Sequence, residues 1–272
     1  KMGDTTISYL IDSANYVFLI DTFLGPISMG YIKDYLIEKN LTKKKMIIFI
    51  THGHWDHYWG NAVFPEALII GQELCRTKIM ADGQQNLEKY IDFAEGTIQI
   101  VPPQITFLSK LSFPEENLEF THTPGHTKCC ASCYDVLDDI LIVGDNIEDP
   151  IPYLMEGDLT PYITTLENYI EQNPKVIIPG HGKEQENLDL VIRNLEYVRN
   201  VSQNTVDFTE FTKTHILLHA ENMKFLANVA MENQTRDLAL QYLQSGLVAL
   251  KQENYDNHQN LLRELEDLMH SI

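Results

Sequence analysis

Two features of the chain predict a mixed α/β core followed by a helical extension. Residues 1–182 read as strands alternating with short helices, punctuated by Gly and Pro turns. From about residue 184 glycine nearly vanishes, and Leu, Glu, Asn and Gln dominate. We therefore expect one α/β domain over residues 1–200 and an α-helical appendage over 201–272.

The elements follow in order. Ile7–Ile11 and Tyr16–Ile20 predict paired strands around the turn at 12–15. Residues 28–39 have helical spacing, with Met29, Ile32 and Leu36 on one face. Met46–Ile50 is a continuous apolar run of the buried-strand type. Leu68–Ile70, Ile98–Val101, Ile105–Leu108 and Leu118–Phe120 predict further short strands. Cys130–Val136, the Asp138-Asp139 turn and Ile140–Val143 predict a hairpin, residues 160–172 a helix, and Val176–Ile178 a last strand. In the extension, Leu188, Val191, Leu195 and Val198 share a helical face, and 207–232 and 235–270 are also amphipathic.

Bulk composition narrows the function. The 272 residues are 44% hydrophobic, enough for a sizeable core, and carry a formal charge of −19. Such a field repels polyanions, so no nucleic-acid partner is expected, and Lys43-Lys44-Lys45 reads as a solvated loop. No stretch approaches the roughly 20 apolar residues that span a bilayer, so no membrane partner is expected. No secretory leader is visible; the opening Lys1-Met2 leaves room for an upstream segment, and the expected compartment is the cytoplasm. Cys75, Cys129, Cys130 and Cys133 show no disulfide-scaffold spacing, and the last three are expected on a strand, some facing the core.

The chemistry is concentrated in Thr51-His52-Gly53-His54-Trp55-Asp56-His57, which places three imidazoles and a carboxylate within six positions. These are ligand types for Zn²⁺, Mn²⁺ and Fe²⁺. Three further segments end strands with a similar donor: His126 in Thr123-Pro-Gly-His-Thr127, Asp145 after Gly144, and His181 in Pro179-Gly-His-Gly182. The rim beyond strand C-termini is where sites assemble in sheet-based folds. In an extended run, residues i and i+2 project to one side, so His52 and His54 can share one ion. Asp56 and His57 fall where the chain turns towards helix and can face a second. His126 can complete the first ion and His181 the second, with Asp145 bridging both. His122, on the strand, is assigned no metal. His215 and His219 are four apart on a predicted helix but lack a third ligand nearby, so they read as ordinary helix residues.

In their order, His-x-His-x-Asp-His, Thr-Pro-Gly-His-Thr, Gly-Asp and Pro-Gly-His-Gly resemble the metallo-β-lactamase-fold hydrolases. So do Ser8-Tyr-Leu-Ile and Phe18-Leu-Ile-Asp21-Thr22, and the likeness covers roughly residues 5–185. It implies an αββα sandwich with a dinuclear metal site at one edge, held by His52, His54, Asp56, His57, His126, Asp145 and His181. Two divalent ions are implied, zinc first, with manganese or iron as alternatives. Asp21 matches an acidic residue of the family near the end of an early strand and is expected at most to support a ligand from behind, with a turn-capping role as the plain alternative. The chain departs from lactam-cleaving members of the commonest zinc subclass, which use Cys where Asp145 stands and lack the histidine matching His57. It departs from flavodiiron members, which place Glu at the position of His54. Lys128-Cys129-Cys130 replaces the Pro-Gly-Ser that follows Thr127 in many relatives.

The implied activity is hydrolysis of a small ester, thioester, lactone or related substrate by a hydroxide bridging the two ions, with Asp56 also accepting or relaying the proton. The rival reading is a mononuclear iron dioxygenase of the same fold acting on persulfides. Trp55, Tyr58, Trp59 and Tyr153 are placed in the pocket or in ordinary packing. Residues 61–117 and 146–165 are expected to shape the site around a small-molecule substrate, and the C-terminal helices to serve packing or homodimerisation.

Overall fold

The computed structural model describes residues 6–251 and 259–272. It contains two five-stranded sheets and eight α-helices among the described residues. In chain order these are β1 (Tyr9–Asp12), β2 (Tyr16–Ile20), α1 (Pro26–Glu38), β3 (Lys45–Ile50), α2 (Trp55–Tyr58), β4 (Leu68–Gln72), α3 (Glu73–Lys89), β5 (Ile105–Phe107), β6 (Lys110–Phe113), β7 (Leu118–His122), β8 (Ala131–Asp135), β9 (Ile140–Gly144), α4 (Thr160–Gln172), β10 (Val176–Pro179), α5 (Asp189–Gln203), α6 (Lys213–Glu232), α7 (Arg236–Lys251) and α8 (Gln259–Ser271). The chain divides into two compact units. The first holds the described residues up to Pro124, with Lys128–Asp145 and Pro174–Asn187. The second holds Gly125–Thr127, Asn146–Asn173 and the described residues from Leu188 onward. Residues 125–127, 146–173 and 188–200 thus pack with the C-terminal helices, across the boundary at 200 that composition suggests.

In the first unit, strand periodicity sorts side chains between two cores. The first sheet runs β1-β2-β3-β4-β5, with β2 to β5 parallel and β1 antiparallel to β2. Val17, Leu19, Ile48, Ile50 and Ile69 lie on one face, packed with Met29 and Leu36 of α1 and Cys75 and Ile79 of α3. The alternate residues Phe18, Ile20, Ile47, Phe49 and Ile70 meet Leu118, Phe120, Cys133, Ile142 and Ile178 of the second sheet, β10-β9-β8-β7-β6. Aromatic rings fill that inter-sheet core, with Phe49 and Phe120 centroids 4.6 Å apart and Phe18 and Phe113 at 5.2 Å. Burying each such side chain contributes roughly 1.5–3 kcal/mol. The two stacked sheets with their helices have the expected fold class.

Local expectations fail where a competing interaction wins. Ile98–Val101 joins neither sheet as a strand. Pro102 and Pro103 follow it and offer no N–H, and the Val101 carbonyl accepts from Asn61 Nδ2 at 2.8 Å. Its side chains pack on the outer core instead. Helix α3 and strand β6 carry no clear signal in the sequence pattern. The buried positions of α3 are Cys75, Ile79 and Gly83, a helical face too weakly apolar to read as a stripe. The amphipathic stretch 235–270 is two helices, α7 and α8, and its residues 252–258 lie outside the described residues.

The second unit contains α4 to α8. Alanine-rich faces of α6 and α7 pack closely: Ala220, Ala227 and Ala230 share a core with Ala239, Leu243, Leu247 and Leu250, closed by Leu261 and Leu265 of α8. His215 caps α6, accepting the Thr212 N–H. His219 is buried, its ring nitrogens 3.0 Å from Tyr197 Oη and 3.0 Å from Ser245 Oγ. No described helix is long and apolar enough to cross a membrane.

Burial pushes the His219 pKa down to about 3. Below the ordinary imidazole value of about 6.5, the unfolded chain takes up a proton that the folded chain refuses. Stability contributed by neutral His219 is therefore lost as pH falls through that window towards 3. Urea unfolding at pH 7 and pH 4.5 is expected to show a smaller acid loss for His219→Asn than for the wild type.

Candidate metal centre

The ligand-bearing turns of the first unit grow from the C-terminal ends of β3, β9 and β10. Strand β3 ends at Ile50, and His52 and His54 follow before the single turn of α2 carries Asp56 and His57. Parallel β9 and β10 end side by side, with Pro179 opposite Gly144, and so deliver Asp145 and His181 together. Gly144 has φ +56, and a Cβ there would stand 2.7 Å from Thr51 Oγ1. A Cβ on Gly180 would fall 2.1 Å from Asp145 Oδ1 and 2.9 Å from His57 Cε1. These glycines let backbone press against the cluster.

One carboxylate oxygen lies at the middle. Asp145 Oδ2 is 3.5 Å from His52 Nε2, 3.3 Å from His57 Nε2 and 3.5 Å from His181 Nε2. Asp56 Oδ2 is 3.3 Å from His181 Nε2 and 3.9 Å from His57 Nε2. Asp56, His57 and His181 offer ligand atoms within 4.8 Å of one another, and so do His52, His54 and Asp145. Donors bound at about 2.0–2.1 Å in a tetrahedron stand roughly 3.3–3.4 Å from each other, so these separations suit a small cation. His57 Nε2 is buried and finds no hydrogen-bond partner among the described residues. The nitrogen and oxygen donors are those that borderline divalent metals take.

Electrostatics keeps the donors poised for positive charge. Burial opposes ionisation of His57, yet Asp145, Asp21 and Asp56 raise its pKa well above the usual imidazole range. His181, also disfavoured by burial, is pushed up to about 10 by Asp145 and Asp56. Burial opposes charge on Asp145 and Asp56 as well. His57, His181 and His52 hold Asp145 well below the usual carboxylate range, and His57 and His181 lower Asp56. The carboxylates are thus ionised at neutral pH and attract protons or a metal ion into the same space.

The structure supplies residues that motif spacing undervalued. Asp21 is buried at φ 57, in the left-handed region that Asp tolerates. It accepts from His57 Nδ1 at 2.8 Å, from the Thr51 N–H at 2.8 Å and from Thr51 Oγ1 at 2.7 Å. A carboxylate on Nδ1 fixes the ring so that Nε2 faces the donors. Thr6 does likewise for His181, with Oγ1 3.2 Å from Nδ1. The sequence signal for Asp21 is its match to the family's acidic residue near the end of an early strand, here the end of β2, and Thr6 carries none.

The remaining expected residues fall as follows. His126 belongs to the second unit, where its N–H donates to Asn146 Oδ1 at 3.0 Å and its Nδ1 lies 3.1 Å from the Tyr153 carbonyl oxygen. His122 Nε2 lies 2.8 Å from the Lys128 carbonyl oxygen, away from the metal groups. Trp55, Tyr58 and Trp59 are buried in the outer core, whereas Tyr153 is exposed. Cys129 joins the outer core, Cys133 the inter-sheet core, and all four cysteines are buried free thiols.

Two substitutions probe this arrangement. Asp21→Asn turns one acceptor into a donor facing donors, and is expected to weaken Zn²⁺ binding by about 10–100-fold in a chelator competition titration. Gly180→Ala forces a methyl group onto Asp145 and His57, and is expected to lower metal content and to destabilise the fold by about 1–3 kcal/mol in urea melts.

Comparison with known proteins agrees with this architecture. A model of the Metallo-beta-lactamase superfamily matches residues 3–181. The chain is 23% identical over 213 residues to the Beta-lactamase-like protein 2 homolog of Caenorhabditis elegans, covering 77% of this chain and 66% of that protein. It is 22% identical over 207 residues to human Acyl-coenzyme A thioesterase MBLAC2, covering 66% of this chain and 74% of that protein. Among solved structures, the metallo-beta-lactamase from Pontibacter korlensis superposes with a TM-score of 0.57 at 19% identity, covering 72% of this chain and 88% of that one. FIM-1 from Pseudomonas aeruginosa, in its mono-zinc form, gives 0.56 at 17% identity, covering 72% and 84%. With more than half its length matched by the family model, the chain belongs to the metallo-β-lactamase superfamily.

Proposed function

We propose that the protein is a metal-dependent hydrolase of small ester, thioester or lactone substrates, with two divalent ions at the centre described above. His52, His54 and His126 would hold one ion, Asp56, His57 and His181 the other, with Asp145 shared between them. The observation that carries the reading is the position of Asp145 Oδ2, within 3.5 Å of imidazole nitrogens drawn from both groups. Zinc is the ion this reading favours, because three or more imidazoles with carboxylates match its donor preference. When bound, such ions supply Lewis acidity towards a carbonyl oxygen and lower the pKa of a coordinated water.

The chain's own groups do the rest. Asp56 is ionised and buried beside His181, and its carboxylate accepts the proton released as water attacks. Asp21 and Thr6 orient His57 and His181. Burial of His52, His57 and Asp145 excludes bulk water and so strengthens each charge interaction. Thioesters come first among substrates because a human relative is named an acyl-coenzyme A thioesterase. The acidic surface supports a small molecule over a polyanion.

His54→Ala or Asp145→Ala is expected to abolish turnover of acyl-thioesters and to lower bound metal while circular dichroism stays unchanged. Full activity in either variant overturns the assignment. One iron per chain with oxygen uptake on a persulfide, and no thioester cleavage, would overturn the hydrolase reading.

A further inference from the structure

We infer that Asn222, on helix α6, is a positioning residue for His126: its buried carboxamide fixes the segment whose carbonyl orients that imidazole. The inference rests on His126 being a metal ligand, as proposed above.

The geometry lies within the second unit. Asn222 is buried in α6. Its Oδ1 accepts the Leu154 N–H at 2.9 Å, and its Nδ2 donates to the Pro152 carbonyl at 2.8 Å. The carboxamide thus grips the backbone on both sides of Tyr153. The carbonyl of Tyr153 lies 3.1 Å from His126 Nδ1. A carbonyl can only accept, so Nδ1 carries the proton and Nε2 keeps its lone pair for a cation.

A second buried amide holds the other end of the segment. Asn194 of α5 accepts the Glu148 N–H at 2.8 Å and donates to the Glu148 carbonyl at 2.9 Å. Glu148 Oε2 in turn accepts the Tyr153 N–H at 2.6 Å. Residues 148–154 form no helix or strand, so these side-chain amides replace the missing backbone ladder. The amide of Asn222 is itself steadied by donating to Tyr197 Oη at 3.0 Å. An unpartnered buried backbone group is costly, so loss of Asn222 should shift the 152–154 backbone rather than leave it in place.

The test is a Co²⁺ titration of the full-length protein, read as affinity and as the visible absorption of the bound ion, which reports its ligand set. His126→Ala should weaken one of the two Co²⁺ ions and change its spectrum. Asn222→Leu should weaken the same ion by about 10-fold, with a spectral change in the same direction. Asn222→Ser, smaller and still polar, makes the same test if the leucine variant does not fold. Ser245→Ala, which removes the hydroxyl beside His219 but not the grip on Tyr153, should leave Co²⁺ binding unchanged. Unchanged affinity and spectrum in a folded Asn222 variant, with His126→Ala defective, overturns the inference and spares the metal assignment. Equal weakening in Ser245→Ala also overturns it, because general destabilisation would then account for the loss. Normal Co²⁺ binding by His126→Ala overturns the metal assignment beneath it.

Discussion

The oxygen of Asp145 that lies among three imidazole nitrogens is the constraint around which the first unit is arranged. Placing ionised carboxylates and imidazoles in a buried space is costly unless the charges pair or hold a metal. The backbone therefore has to bring strand ends together at close range. Parallel β9 and β10 do this for Asp145 and His181, and the turn after β3 does it for the histidine-rich run. Gly180 matters because any larger residue would occupy the place of the Asp145 carboxylate.

Behind these donors sits a layer of acceptors. Asp21 joins the end of β2 to both Thr51 and His57, tying two neighbouring strands of the first sheet to the metal centre. The sheet can bear this because its alternation is strict. Residues pointing one way meet α1 and α3, and those pointing the other way meet the second sheet. A one-residue slip would exchange the two faces and carry the loop after β3 with it. Packing and chemistry therefore rest on the same register.

The second unit solves a different problem. The segment between β9 and α4 has no ladder of its own, and Asn194 and Asn222 hold it through paired hydrogen bonds to backbone. His219, Tyr197 and Ser245 extend the buried polar chain across α5, α6 and α7. A buried polar chain of this kind favours one helix arrangement over others, because each alternative strands a donor or acceptor.

The sequence by itself determined the fold class, most strands, and the types and order of the seven candidate ligands. Those features depend on periodicity and on residue chemistry, which are local. The run from His52 to His57 was legible because the donors are adjacent, and the Gly-flanked positions of Asp145 and His181 because each follows an apolar strand. Helix α3 is hidden in the sequence because its inward face is Cys75, Ile79 and Gly83, and Ile98–Val101 has the pattern of a strand but forms none because two prolines and the amide of Asn61 deny it a ladder. Tertiary structure alone decided that Asp21 and Thr6 reach His57 and His181, that residues 146–173 pack with the C-terminal helices, and that buried asparagines clamp the segment beside His126. Those contacts join residues tens of positions or more apart, and hydrogen bonds between distant segments leave no period or spacing in the chain.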